Sequence, residues 1–374
     1  MKKFFSSILT HMKNIDMFIL VLCCISSLYG ILLVSSSGDR ASVYIQVASL
    51  AIGILLFIVF TIIDVDIIAG KHRLLFLVSI LFISTLFVWG EAGDSGNRAW
   101  LRFGSIGIQP AEVVKIPFII ILAKIMVNNK ERRDISSPVS MIQYIFVFAS
   151  MFVLIILSSD DLGSALVYFF VFAVMLFVGG LNLLWFAGAG AVMAPLLPAI
   201  WLYFLNDNQR IRILAPFDKT IDPEGLGIKW QSNLSKLAIS SGGFKGQGLY
   251  KGSMTQSGTV PFQHTDFVFS VAGEELGFIG CLLIIVLLLA IIVRCLYVGI
   301  RSNDTLGLLV CTGIAAMLIF QTFENIGMCL GITPVIGLTL PFFSYGGSSL
   351  ITNFAAMGIV SGIKMRPKPS GFRR

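Results

Sequence analysis

Uninterrupted apolar runs of about 18 residues or more recur along nearly the whole chain, and that one feature excludes most folds. Hydrocarbon offers no water to a free N–H or C=O, so each run must close its own backbone bonds as an α-helix. A membrane β-barrel would instead show alternating segments of about ten residues. Ten runs stand between polar breaks, near 15–34, 43–63, 74–89, 111–127, 141–157, 163–180, 182–204, 267–293, 305–325 and 340–363. The expectation is an all-α polytopic membrane protein: one integral membrane domain over 1–374, about ten transmembrane helices, and both termini on one side. Only 13% of its 374 residues are charged, about half the share in a soluble protein.

Basic residues decide which side. With cytoplasmic termini, that face holds fifteen: Lys2, Lys3, Lys13, Lys71, Arg73, Lys130, Arg132, Arg133, Arg294, Arg301, Lys364, Arg366, Lys368, Arg373 and Arg374. The short outer loops hold three, Arg40, Arg98 and Arg102. This asymmetry is the positive-inside pattern. The net charge of +7 is spread through these connections, which argues against a nucleic-acid surface. The six cysteines form no C-x-x-C pair and lie in or beside apolar runs, so they read as small apolar residues. The first run is long enough to span and lacks a cleavage site, so it reads as a helix and not as a signal peptide.

Between the seventh and eighth runs lies a large extracytoplasmic loop, about 205–265. Loops of that length are functional or disordered. Trp230, Phe217 and Phe244, the glycine-rich stretch 241–248 and a helix-compatible run at 231–239 favour a folded one. Its bases (Arg210, Arg212, Lys219, Lys229, Lys236, Lys245, Lys251) outnumber Asp207, Asp218, Asp222 and Glu224. That surplus suits an anionic substrate headgroup, or is simply solvated charge.

Four polar clusters fall on the deduced outer side. Gln109-Pro-Ala-Glu-Val-Val-Lys115 opens the fourth helix, with Pro110 suited to its first position and Pro117 placed to kink it. Glu112 and Lys115 share a helix face, as an internal ion pair or as part of a site. Ser158–Ser164 is a tight turn in which Asp160 or Asp161 can cap the sixth helix. The stretch from Pro261 to Gly280 carries His264 and Asp266, with Glu274 and Glu275 two turns deeper. Asp266 is chemically adequate as a helix cap or as a catalytic carboxylate, and either glutamate can pair with a base on another helix. Gly331–Ser349 has two prolines and several glycines, so it reads as broken helix, tolerated only when buried in protein or lining a cavity. Gly346, Gly347, Ser348 and Ser349 permit close approach. Together the clusters predict one outward-opening polar cavity beside the long loop.

These clusters also carry a resemblance. Asn97-Arg-Ala-Trp-Leu-Arg102, Gln109-Pro-Ala-Glu-Val-Val-Lys115, His264-Thr-Asp-Phe-Val-Phe followed by Glu274-Glu-Leu-Gly-Phe-Ile-Gly280, and Pro341-Phe-Phe-Ser-Tyr-Gly-Gly-Ser-Ser349 are similar to the signatures of the SEDS family (shape, elongation, division, sporulation; RodA, FtsW and SpoVE). Asn325–Met328 and Pro334–Gly337 resemble RodA, the elongation branch, whereas Gly337–Pro341 leans toward FtsW, the division branch. The turn at Ser158–Ser164 and the residues after Pro261 depart from the family pattern.

The resemblance implies a peptidoglycan glycosyltransferase that polymerises lipid II into a nascent glycan strand outside the bacterial cytoplasmic membrane. It implies a class B penicillin-binding protein as partner and a divalent cation, Mg2+ or Mn2+, as cofactor, with no metal ligands assigned. It places the essential aspartate at Asp266 and the cavity glutamate and lysine at Glu112 and Lys115, and carries over Asp161. Arg98, Arg102, Lys245, Ser344, Tyr345, Gly346 and Ser348 complete the expected substrate-binding set. Pyrophosphate leaves readily once neutralised, so a single carboxylate acting as base on the acceptor hydroxyl suffices. Lys115, Arg98, Arg102 or the cation is expected to neutralise the leaving group. The rival reading is a lipid II flippase, which needs polar residues reaching the inner leaflet; Lys124 is the main candidate at that depth, and it can snorkel.

Overall fold

The computed structural model describes residues 15–92, 97–104, 106–204, 207–218, 220–302 and 304–365. The bases counted at Lys2, Lys3, Lys13, Lys219, Arg366, Lys368, Arg373 and Arg374 lie outside them. Each of the ten runs forms helix: Met17–Ser37, Arg40–Ile62, His72–Trp89, Pro110–Arg132, Pro138–Ser159, Leu162–Val178, Leu183–Tyr203, Gly277–Ile300, Thr305–Cys329 and Gly347–Met365. Among the described residues, seven are long and apolar enough by themselves to cross a membrane. The fourth, sixth and tenth are too polar or too short. Their composition fits their surroundings: the fourth and tenth are sheathed by protein along most of their length, where a helix need not match lipid.

The second and tenth spans pack most closely, because small residues remove the side chains that would hold them apart. A Cβ on Gly358 would lie 2.5 Å from the Phe57 carbonyl oxygen, and one on Gly53 would lie 3.0 Å from the Phe354 ring. Thr61 Oγ1 donates to the Gly358 carbonyl at 3.2 Å. At the end of the bundle away from the long loop, the buried Asp16 carboxylate meets Arg294 at 2.8 Å and Lys364 at 3.2 Å, joining the first, eighth and tenth spans. The seventh span is tethered near its start, where Trp185 Nε1 donates to the Ser136 carbonyl and the Phe186 ring packs on that of Phe177; no described side chain of the span is fully buried.

Two expected helices begin differently. The eighth is in two pieces, Val268–Glu275 and Gly277–Ile300, broken where Gly277 takes φ +67°. The break exposes amide groups that loop carbonyls satisfy: Phe278 N donates to Gly243 O at 2.9 Å and Ile279 N to Phe244 O at 3.4 Å. The tenth starts at Gly347 and not near 340, since the preceding segment turns through left-handed backbone at Gly331, Gly337 and Phe342. Pro117 lies within one continuous helix, Pro110–Arg132, with Pro110 at its first position.

The long loop is folded. It carries helices Asp207–Leu214, Trp230–Gly242 and Ser253–Gln256 and lies against the end of the bundle. A two-stranded antiparallel hairpin, β1 (Leu101–Phe103) and β2 (Ile106–Ile108), precedes the fourth span on the same face.

Candidate active site

Asp266 is held by a turn built on one carbonyl. Thr265 N, Asp266 N and Phe267 N all donate to Phe262 O at 3.0–3.1 Å, and Phe262 takes φ +52° to present it. Left-handed backbone is costly for a bulky residue and marks a place where surrounding structure dictates conformation. The position following Asp266, Phe267, caps the next helix without a side-chain bond, so Asp266 is not a helix cap. Its carbonyl accepts from Asn325 Nδ2 at 2.7 Å, and the same amide donates to Leu338 O at 2.7 Å. One buried side chain from the ninth span thus ties the Asp266 turn to the irregular segment before the tenth. A Cβ on Gly337 would stand 3.4 Å from Asp266 Oδ2, so that glycine keeps the carboxylate's near side open.

Glu274 and Glu275 are fully buried and meet no cation among the described residues, against expectation. Backbone and hydroxyl donors take the place of a counter-ion. Glu274 accepts from Met254 N and Thr255 N at 2.8 Å and from Thr255 Oγ1 at 2.6 Å. Glu275 accepts from Ser36 Oγ at 2.7 Å and Gln256 Nε2 at 3.0 Å. The pair anchors the 252–256 segment and the end of the first span, immediately upstream of Asp266.

Asp161 caps the sixth span, its Oδ1 accepting from Ser164 N at 2.9 Å and its Oδ2 from both Ser164 Oγ at 2.7 Å and Gln109 Nε2 at 2.8 Å. Burial pushes its carboxyl up; the Ser164 bonds and the Lys115 charge oppose that. Asp266 stands across the same cavity. Burial first, then the Asp161 charge, raises it to about 6.

The cavity is about 1340 Å³. Asp266, Asp161, Arg102, Tyr345, Gly346 and Ser348 line it, as expected. Five expected residues do not. Glu112 and Lys115 are buried below it and hydrogen-bonded to each other, which spends both charges on a dry pair; Lys115 reaches the site only through its field on Asp161. Arg98 precedes the hairpin and is exposed away from the cavity lining, whereas Trp100 and Arg102 line it. Lys245 is exposed elsewhere, since the turn 242–248 is used to brace the Glu275–Gly277 break. Ser344 is buried and turned inward, accepting from Leu340 N at 2.9 Å. Its neighbour Tyr345 is aimed by backbone: Tyr345 N donates to His264 O at 2.8 Å, and Gln46 brackets the turn through Ser344 O and Gly346 N. His264 therefore supports the turn, with its ring 5.6 Å from that of Tyr345.

The walls also hold residues that the sequence marks only as members of the long loop's basic surplus. Arg212, Lys229 and Lys236 come from the long loop and line the same cavity as the two carboxylates, with Lys229 Nζ donating to Asp218 O at 2.7 Å. Trp100 and Trp230 also line it. Toward the lipid-facing flank, Tyr44, Ile45, Ala48 and Ile52 of the second span continue the lining as an apolar lip. The surplus of loop bases was the available signal, but which bases face inward depends on the loop's path. Among the described residues no three His, Cys, Asp or Glu side chains cluster as a ready metal site.

Comparison with known proteins agrees with this architecture. The family model FTSW_RODA_SPOVE, cell cycle protein, matches residues 7–368. The chain belongs to the FtsW/RodA/SpoVE family. It is 31% identical over 354 residues to the peptidoglycan glycosyltransferase MrdB of Escherichia coli K12, covering 94% of this chain and 93% of that protein. It is 30% identical over 372 residues to a probable peptidoglycan glycosyltransferase FtsW of Geobacter sp. strain M18, covering 95% and 98%. Among solved structures, a chain from a peptidoglycan synthase complex that coordinates polymerization and crosslinking superposes with a TM-score of 0.80 at 30% identity, covering 94% of this chain and 97% of that one. The rod shape determining protein RodA of Thermus thermophilus gives 0.68 at 27% identity, covering 94% and 96%. This FtsW/RodA/SpoVE member is thus a multi-pass membrane protein, with Asp266 in the cavity beside its long loop.

Proposed function

We infer that this chain is a peptidoglycan glycosyltransferase that polymerises lipid II, with Asp266 as the base. The observation that carries the reading is the cavity's mixed charge: a carboxylate of raised proton affinity shares one cavity with Arg102, Arg212, Lys229 and Lys236. Glycosyl transfer from a lipid pyrophosphate needs both halves. Asp266 takes the proton of the acceptor hydroxyl as its oxygen bonds to the anomeric carbon, and the bond from that carbon to pyrophosphate breaks. The leaving group carries away the electron pair and its charge, which the loop bases and Arg102 neutralise. Lys115, buried against Glu112, is replaced in that role.

The cavity end of the bundle is assigned to the outside. Lys71, Arg73, Lys130, Arg132, Arg133 and Arg301 flank connections at the other end, in keeping with the positive-inside rule. The apolar lip on the second span gives a lipid-linked substrate a way in from the bilayer. The donors available to a divalent cation are Asp161 and Asp266, a set suited to Mg2+ or Mn2+, which take one or two carboxylates and fill the shell from phosphate and water. Such a cation would add Lewis-acid neutralisation of the leaving group. A class B penicillin-binding protein is the proposed partner and cell elongation the proposed setting; supporting these are the likeness to a synthase-complex chain and to MrdB and RodA.

The test is polymerisation of lipid II by purified protein, alone and with its co-purified penicillin-binding protein. Asp266→Asn is expected to stay folded and make no glycan. Wild-type product from that variant overturns the assignment.

A further inference from the structure

A second cavity, of about 590 Å³, lies on the far side of the Trp230–Gly242 helix from the bundle. Trp230, Asn233 and Lys236 line both cavities, so the second adjoins the one that holds Asp266. Leu237 and Ser240 carry its floor outward along the same helix face, and Leu226 stands on its opposite wall. The packed face of this helix is the other one: Ser232, Ser235, Ala238 and Gly242 are buried, and Ser235 Oγ donates to Cys329 O at 2.9 Å. The opposite wall is fixed as well. Asp222 accepts from Leu226 N, Gly227 N and Lys229 N at 2.9–3.2 Å. Gly225, at φ +67°, lets the Asn233 amide press in where a Cβ would stand only 2.3 Å away. The groove is therefore preformed.

Its surface is amphipathic in short alternation. Trp230, Leu226 and Leu237 are 41%, 73% and 58% exposed, and Asn233, Lys236, Ser240 and Glu224 stand between them. An alkyl chain would want an unbroken apolar path, whereas this mixture offers ring and methyl faces for sugar C–H groups beside donors and acceptors for hydroxyl and N-acetyl groups. A polymerase's product must also occupy space that starts at the reacting carbon and leads away.

We propose that this groove binds the growing glycan strand and retains it between additions. The inference rests on the glycosyltransferase reading and goes beyond it, because it assigns a product subsite outside the catalytic cavity. Residues at its outer end are the ones to change, since Trp230, Asn233 and Lys236 also line the cavity that holds Asp266.

The experiment uses the purified full chain, with fluorescent lipid II and product lengths resolved on gels. Leu237→Glu and Ser240→Trp, which charge and fill the outer groove, are expected to shorten the product about fivefold, a release-rate change equal to roughly 1 kcal/mol of strand affinity. In parallel, Ser240→Cys is labelled with a maleimide in the presence of lipid-free peptidoglycan oligomers, which are expected to slow labelling. Full-length chains from both variants, or labelling indifferent to the oligomers, overturn the groove and leave the glycosyltransferase reading intact. A wild-type chain that consumes no lipid II under any condition removes that reading and the groove with it.

Discussion

If Asp266 is the base, its protonation sets the acidic limb of the reaction, and the structure gives both position and cause. Its carboxyl is raised to about 6 by burial and then by the Asp161 charge. For a group at that value the ionised fraction falls from about nine-tenths at pH 7 to about one-tenth at pH 5, so kcat/KM should drop nearly tenfold across that interval. The informative perturbation is Asp161→Asn. An asparagine oxygen still caps the sixth span, but the negative charge facing Asp266 is gone, so the limb should move to lower pH. The assay is initial-rate polymerisation of lipid II between pH 4.5 and 8 at constant ionic strength. A flat profile across pH 5–7, or a limb that moves upward in Asp161→Asn, refutes the reasoning. Stability offers a check independent of turnover. A carboxyl raised on folding favours the folded state only while it is protonated, so its ionised form weakens the fold as pH rises through about 6. Asp266→Asn should therefore melt higher than wild type at neutral pH. The gap should close as pH falls below the unfolded carboxylate range.

Two further outcomes follow from the buried charges. Glu274→Ala leaves Met254 N and Thr255 N without their acceptor, and each orphaned donor costs about 1–3 kcal/mol, so the detergent-solubilised protein should melt markedly lower. A melting point within error of wild type would show that the anchor is dispensable. Lys115→Met alone strands the Glu112 carboxylate and should cost about 3–5 kcal/mol, whereas adding Glu112→Gln removes the stranded charge and should restore most of it. That recovery, read as thermal stability, separates a buried pair from a substrate contact; a double variant no more stable than the single one contradicts the pairing.

Periodicity and charge were enough to place ten helices, because hydrocarbon leaves a chain few choices. Length and apolarity mark a span, and flanking bases orient it. The motif at Pro261–Gly280 likewise points to Asp266 through its likeness to a family. What remained ambiguous there was whether the aspartate merely capped a helix, and only the Phe262 turn and the Asn325 clamp separate those roles. The sequence offers Glu112, Lys115, Arg98, Lys245 and Ser344 as candidates, but does not say that each lies elsewhere: in a buried pair, on the exposed approach to a hairpin, on a brace, or on an inward turn. Nor could it choose Arg212, Lys229 and Lys236 from the loop's surplus of bases. Those choices depend on contacts between residues far apart in the chain, made where the loop folds back over the bundle. Local pattern determines which segments enter the membrane; bases and carboxylates share one cavity only because the loop folds back over the bundle, its Trp230–Gly242 helix held to the ninth span by Ser235 Oγ on Cys329 O.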